Sequence, residues 1–218
     1  MKILFIQPAV KDHRNRESVK WNKIYNGTIA LALFLRKQGH ETRILWFKKS
    51  DFKERISKAL DSFTPDVVGI NLTFYVHLFS AYNLAKIVKD LDPQIPVILG
   101  GHTATYFAGE MLNSEFATVA DYVIKGDAEV PFTMLLEKLL ENSLEDPPPN
   151  IVDLKRGIET EISYVQQELP SVSLRRLDEI ILDLDDYLSL PTTRGSAPIN
   201  YAKRERKVKG EFYLYVGK

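Results

Sequence analysis

Hydrophobic positions in the first 142 residues follow two alternating patterns. Residues 2–7, 41–47, 66–72, 97–99 and 122–124 are short, nearly continuous apolar runs rich in β-branched side chains, as in strands buried on both faces. Between them, apolar residues recur every three or four positions. Such spacing predicts helices over 27–38, 51–63 (Phe52, Ile56, Leu60, Phe63), 77–91 (Leu78, Ala81, Tyr82, Ala85, Val88), 103–114 and 129–142 (Phe132, Leu135, Leu136, Leu139, Leu140). Gly39, Thr64-Pro65 and the Pro93/Pro96 pair punctuate the ends of the first three, and Pro131 suits the first turn of the last. Five strand–helix units predict an α/β, flavodoxin-like (Rossmann-like) fold: a five-stranded parallel sheet with helices on both faces, strand order 2-1-3-4-5 and right-handed crossovers. In that topology a ligand lies beyond the carboxyl ends of the strands, at the switch point between strands one and three. The candidate site is then four loops, residues 8–26, 73–76, 100–103 and 125–129, the first of them long and polar.

The pattern changes at Glu145-Asp146-Pro147-Pro148-Pro149, where consecutive prolines favour extended geometry. The expected organisation is one domain over 1–145 and an irregular C-terminal extension over 146–218. Within the extension, 151–154 and 161–165 are expected as short strands around Gly157, and 177–188 as a helix or an extended wrapper. The run Lys203, Arg204, Arg206, Lys207 and Lys209 has no interleaved aromatics and is expected to be a solvated linker, and 211–216 alternate like one more strand.

Composition narrows the chemistry. With 29 Lys plus Arg against 29 Asp plus Glu, there is no net charge to favour nucleic acid or an anionic membrane. The 218 residues contain no cysteine, so they form no disulfide, thiolate-held zinc or iron–sulfur site, and no cysteine nucleophile. Four histidines (His13, His40, His77, His102) make a multi-histidine metal site demanding. No apolar run reaches transmembrane length and the N-terminal run is too short for a signal peptide, so a cytoplasmic protein is expected. Walker A, G-x-G-x-x-G and G-x-S-x-G patterns are absent, and the first and third strand ends, Gln7-Pro8 and residues 71–73, lack the acidic cluster of a phosphorylated receiver.

What remains lies at the strand ends. Gly100-Gly101-His102-Thr103 closes the fourth strand and opens a helix. Absent Cβ atoms there let a bulky ligand approach, and the helix-start amides can receive an anionic or carbonyl group; a tight turn needs the same residues. Gly126-Asp127-Ala128-Glu129 closes the fifth strand, where an acidic pair also suits helix capping. Two successive strands ending in glycine point to a flat crevice floor. His102 faces the crevice or caps its helix; His77 caps a helix or lines the crevice with Thr73, Phe74 and Tyr75; His13, beside Asp12, is expected in solvent and His40 to be structural.

Asn26-Gly27 through Gly39-His40, Pro65-Asp66-Val67-Val68-Gly69-Ile70, residues 97–102 and residues 121–129 occur in an order and spacing that resembles the N-terminal cobalamin-binding domain of cobalamin-dependent radical S-adenosylmethionine enzymes. Class B methyltransferases and the anaerobic magnesium-protoporphyrin ester cyclase group are related members. The resemblance covers about residues 1–142. The family often has Gly-Glu-Gly-Glu where this chain has Gly126-Asp127-Ala128-Glu129. The Asp-x-His-x-x-Gly motif that supplies a cobalt-ligating histidine in the wider superfamily is absent, since Asp12 and His13 are adjacent.

The resemblance implies a corrinoid-binding module that carries cobalamin base-off, with no protein metal ligand and no catalytic residue of its own. Its contacts would be Pro8, Ala9, Thr73, Phe74, Gly100, Gly101, His102, Gly126, Asp127 and Glu129. It also implies that 146–218 connect to a radical S-adenosylmethionine barrel, the partner in the parent chain. In that family a strand like 211–216 leads into a Cys-x3-Cys-x2-Cys loop that holds the [4Fe–4S] cluster cleaving S-adenosylmethionine. The expectation is a fragment ending ahead of that loop, not catalytic alone, from a parent methyltransferase or related radical enzyme of unknown substrate. The alternatives are a cofactor-free flavodoxin-like docking domain and, without a specific motif, a flavin or nucleotide binder.

Overall fold

The computed structural model describes residues 1–11, 19–20, 24–163 and 177–188. In chain order the strands are β1 (Lys2–Ile6), β2 (Val10–Lys11), β3 (Val19–Lys20), β4 (Glu41–Leu45), β5 (Val67–Asn71), β6 (Val97–Gly100), β7 (Tyr122–Ile124), β8 (Ile151–Asp153) and β9 (Ile158–Glu159). The helices are α1 (Asn26–Lys37), α2 (Phe52–Phe63), α3 (Leu78–Leu91), α4 (His102–Tyr106), α5 (Ala108–Leu112), α6 (Phe116–Val119), α7 (Glu129–Glu141), α8 (Leu177–Ile180) and α9 (Leu184–Leu188). A 3-10 turn, Tyr75–His77, precedes α3.

The main sheet runs β4-β1-β5-β6-β7-β8-β9. Its first five strands are parallel and reproduce the expected 2-1-3-4-5 order. Alternate residues face opposite layers, as the two-residue period of a strand requires. Ile3, Phe5, Val67, Ile98 and Ile124 pack with Leu33 and Leu35 of α1 and Phe132, Leu135 and Leu136 of α7. Leu4, Ile6, Val68, Ile70, Leu99 and Val123 pack with Ile56 and Leu60 of α2, Leu84 and Val88 of α3, and Met111 of α5. Both layers are therefore dry, and each strand reads as an unbroken apolar run because neither face meets water. Among the described residues no helix is long and apolar enough to cross a membrane.

Among the described residues the main sheet has seven strands rather than the expected five. β8 adds antiparallel to β7, with Ile124 opposite Ile151 and Tyr122 opposite Asp153, and β9 returns against β8. The hairpin removes an open edge from the parallel sheet. Its turn is built on Asp153, which is 2% exposed: Oδ1 accepts from the amides of Lys155 and Arg156, and Oδ2 from the Arg156 guanidinium. That turn is short, so the return strand lies at Ile158–Glu159 and not at 161–165; residues 161–163 carry no strand, and 164–165 lie outside the described residues. Lys125 fastens the hairpin to the end of β7, donating to Glu159 Oε1 (2.8 Å) and the Thr160 carbonyl (2.6 Å).

Three further elements differ from the expected pattern. The long first loop contains a small hairpin, β2 against β3. Helix 103–114 is two short helices, α4 and α5, with a bend at Phe107, and α6 follows. Residues 177–188, left open between helix and wrapper, form α8 and α9 and lie along the outer edge of β4. Ile181 bridges Ile44, the Leu182 amide donates to the Ile44 carbonyl (3.0 Å), and the Trp46 indole donates to the Leu182 carbonyl (2.7 Å). Arg36–Glu179 and Arg55–Asp183, each at 2.6 Å, flank this contact. Asp12, His13, the basic run 203–209 and the expected strand 211–216 lie outside the described residues.

Candidate functional site

The carboxyl ends of β1, β5, β6 and β7 lie side by side, and their loops bring the expected site residues to one end of the sheet. Pro8 and Ala9 follow β1 and are buried in the floor. Beside them Gln7, 1% exposed, donates to the Pro8 carbonyl and accepts from the Tyr25 amide, while the Ala9 amide donates to Ser80 of α3 (3.3 Å). After β5, Thr73 donates to Asn71 Oδ1 (2.6 Å), and Asn71 donates to Thr28 of α1 (2.8 Å). This relay ties the end of β5 to the start of α1. The sequence reading did not single out Asn71 or Thr28, although an asparagine ending an otherwise apolar strand is a visible signal.

The two glycines ending β6 play different parts. Gly101 has φ +105°, and a Cβ on it would lie 3.0 Å from both the Leu72 carbonyl carbon and oxygen and 3.1 Å from the Thr73 amide nitrogen. Its lack of a side chain lets the β6 loop press against the β5 loop. Among the described residues nothing lies within 4 Å of a Cβ placed on Gly100, so it looks into open space. The amides of Thr103 and Ala104, expected to be available to a ligand, both donate to the Leu72 carbonyl (3.0 and 3.2 Å). Loop-to-loop packing consumes them. His102 is the exposed first residue of α4.

After β7, Gly126 and Asp127 are exposed, and the Gly126 amide donates to Thr105 of α4 (2.9 Å). Glu129 starts α7 half-buried. Burial pushes its carboxyl above the usual carboxylate range, Asp127 adds to the rise, and the backbone amides of Glu129 and Ala128 oppose it.

Large aromatic side chains stand in solvent on the segments that follow β5 and β6. Phe74, Tyr75 and Phe79 are 51%, 72% and 78% exposed, and Tyr106 is 80% exposed. Concentrated exposure of this kind marks a surface that something covers. Behind Phe74 lies His77, fully buried, with neither ring nitrogen hydrogen-bonded. Its ring centroid is 6.0 Å from that of Tyr25 and 6.2 Å from that of Phe74. Among the described residues no group of three or more His, Cys, Asp or Glu is placed to hold a metal ion.

Burial holds the His77 imidazole below its ordinary value of 6.5, and burial with the N-terminal ammonium does the same for His40. The unfolded chain therefore takes up more protons than the folded one as pH falls through 6.5, and stability drops with it. Urea unfolding between about pH 7 and about pH 5 should show wild type losing more stability than His77→Phe. A wild-type decline no steeper than the variant's would contradict a buried neutral imidazole.

A doubly wound parallel sheet whose strand ends carry glycine turns beside exposed aromatic side chains defines a Rossmann-like domain, a fold in which ligands lie beyond the carboxyl ends of the strands. The chain belongs to the B12 binding domain family, whose model matches residues 26–136. It is 29% identical over 128 residues to the hopanoid C-3 methylase of Methylococcus capsulatus, covering 59% of this chain and 24% of that protein. It is 29% identical over 196 residues to an uncharacterized methyltransferase of Pyrococcus horikoshii, covering 87% and 39%. It is 30% identical over 164 residues to the cytidylyl-2-hydroxyethylphosphonate methyltransferase of Streptomyces wedmorensis, covering 67% and 30%. The chain thus spans between 24% and 39% of the length of these curated relatives. Its fold is shared with the cobalamin-dependent S-adenosylmethionine radical enzyme OxsB, solved with aqua-cobalamin and S-adenosylmethionine bound (TM-score 0.60, 17% identity, 82% of this chain and 25% of that one). It is also shared with the radical S-adenosylmethionine methyltransferase TsrM of Kitasatospora setae (TM-score 0.54, 18% identity, 73% and 30%). The cobalamin-binding family expected from residues 26–40, 65–70, 97–102 and 121–129 is the family that matches.

Proposed function

We propose that this B12-binding domain carries a corrinoid across the carboxyl ends of β1, β5, β6 and β7 and presents it to a radical S-adenosylmethionine barrel. The observation that carries this reading is the open space over Gly100, beside the solvent-exposed Phe74 and Tyr106. A corrin ring is broad and apolar on its faces, with amide groups around its rim. The residues present fit such a group: a floor without side chains, aromatic rings to pack on it, and a buried unpaired imidazole nearby. When bound, a corrinoid supplies a cobalt centre able to carry a methyl group.

This chain's part is to bind and orient. Pro8 and Ala9 form the floor beneath the ligand. Thr73 and Phe74 pack against it, Gly100 allows close approach, Gly101 lets the β6 loop seat against the β5 loop beside it, and His102, Gly126, Asp127 and Glu129 border it. The cofactor is held base-off, the form the family resemblance implies, without an Asp-x-His-x-x-Gly histidine as its ligand. Residues 1–145 form the cobalamin-binding unit and 146–218 the connector, whose hairpin β8–β9 and segment α8–α9 pack back onto the sheet. S-adenosylmethionine and the [4Fe–4S] cluster belong to the barrel, as these 218 residues offer no thiolate. The parent is a cytoplasmic methyltransferase or related radical enzyme, in keeping with relatives named as methylases and methyltransferases and with solved neighbours described as cobalamin-dependent radical enzymes. Zero net charge gives no support to nucleic acid or a membrane as partner.

Incubating the purified protein with hydroxocobalamin, FMN or ATP and then desalting tests this reading. About one equivalent of corrinoid absorbance should stay with the protein, at micromolar affinity, and neither of the others should. Failure of folded protein, checked by circular dichroism, to keep any corrinoid would leave a cofactor-free docking domain.

A further inference from the structure

Among the described residues, His77 is a polar side chain beside the strand ends that the fold itself does not explain. It is fully buried, and neither Nδ1 nor Nε2 has a hydrogen-bond partner. A neutral imidazole carries one donor and one acceptor, and leaving both unmade in a dry site is costly, so buried polar groups of this kind are rare in finished structures. A phenylalanine or leucine would fill the same space without that cost.

Its position gives the orphaned nitrogens a meaning. His77 ends the 3-10 turn that follows β5, and its ring packs against Tyr25 before α1 and Phe74 after β5. Tyr25 and Phe74 are themselves edge-to-face at 5.4 Å. The imidazole thus sits where the loops after β1 and β5 meet, at the topological switch point, with half-exposed Phe74 beside it. Among the described residues no charged side chain pairs with it. A neutral donor–acceptor ring suits a neutral amide better than a phosphate or carboxylate, which would call for a cation.

We propose that His77 is a further binding residue of this crevice, whose ring nitrogens exchange hydrogen bonds with the primary-amide rim of the bound corrinoid. This rests on the corrinoid reading above and adds to it a polar contact from the loop after β5. In the free protein the imidazole is unpaired and closed off from solvent, so the half-exposed Phe74 ring packed beside it must move aside for the ligand to satisfy it. Affinity is thereby directed toward amide-bearing tetrapyrroles.

The test compares wild type, His77→Phe and His77→Gln in absorbance titrations with hydroxocobalamin. His77→Phe keeps a ring of similar size and lacks both nitrogens, and is expected to bind about tenfold more weakly while unfolding at the same or higher urea concentration. His77→Gln restores a donor and an acceptor and should bind within about threefold of wild type. In wild type labelled with 15N-histidine, the His77 ring resonances should shift on adding hydroxocobalamin, a readout that holds even if His77→Phe fails to fold. Equal affinity of His77→Phe and wild type, or unmoved His77 resonances in corrinoid-loaded protein, would overturn the proposal and leave the corrinoid reading standing. No binding by folded wild type would overturn both.

Discussion

Gly101→Val should cost the domain about 3–5 kcal/mol of unfolding free energy, a large part of what a domain of this size possesses. Two independent effects add. At φ +105° the residue occupies the left-handed half of backbone space, where a β-branched side chain is strained by roughly 1–3 kcal/mol. Its Cβ would also sit 3.0 Å from the Leu72 carbonyl carbon and oxygen, which are backbone atoms and cannot rotate away. To relieve the contact, the β6 loop would have to part from the β5 loop, breaking the hydrogen bonds from Thr103 and Ala104 to Leu72. The urea midpoint measures this directly. A variant as stable as wild type would mean that the two loops do not meet as described.

Gly100→Leu should have the opposite profile. Gly100 has no left-handed backbone angle, and its Cβ direction is empty, so a leucine is tolerated by the fold. The same leucine projects into the space assigned to the ligand. A side chain of that volume in a filled crevice costs about 1–3 kcal/mol, and the corrinoid affinity should fall by about tenfold to more than a hundredfold. The urea midpoint should move little. Undiminished corrinoid binding by Gly100→Leu would place the ligand elsewhere. The pair of neighbours matters because either glycine alone reads ambiguously: loss of ligand in Gly101→Val follows from a damaged loop, whereas loss in Gly100→Leu does not.

That division of labour between adjacent glycines was invisible in the sequence. Gly100-Gly101 announces close approach, but what approaches is a neighbouring backbone at one position and open space at the other, and only the path of the β5 loop tells them apart. The parallel core was readable because strands shielded on both faces have no choice but to be apolar throughout, and their number and spacing leave few topologies. The β8–β9 hairpin was readable only in outline. Its strands are two or three residues long, and its register is set by the side-chain hydrogen bonds of Asp153. Residues 177–188 gave no decisive period because they dock through single contacts such as Ile181 on Ile44 and Trp46 on Leu182. Their surroundings, not their pattern, make them a wrapper.

The site residues divide in the same way. Glycines and the acidic pair at strand ends stand out because their positions follow from the strands themselves. Tyr75 was expected as a possible crevice residue, but Phe79 and Tyr106 were not singled out, since an aromatic residue at helical spacing reads as core until the fold turns it outward. His77 was visible as a residue near the crevice, but its complete burial and unpaired nitrogens are tertiary facts.

The central claim is that a corrinoid lies over the carboxyl ends of β1, β5, β6 and β7. Hydrogen–deuterium exchange of the wild-type protein with and without saturating hydroxocobalamin tests it most directly. Slower exchange confined to residues 8–9, 72–77, 100–105 and 125–130 is the expected result, with β8–β9 and α8–α9 unchanged. Protection that falls on the hairpin or the β4 edge, or no protection at all in folded protein, would contradict it.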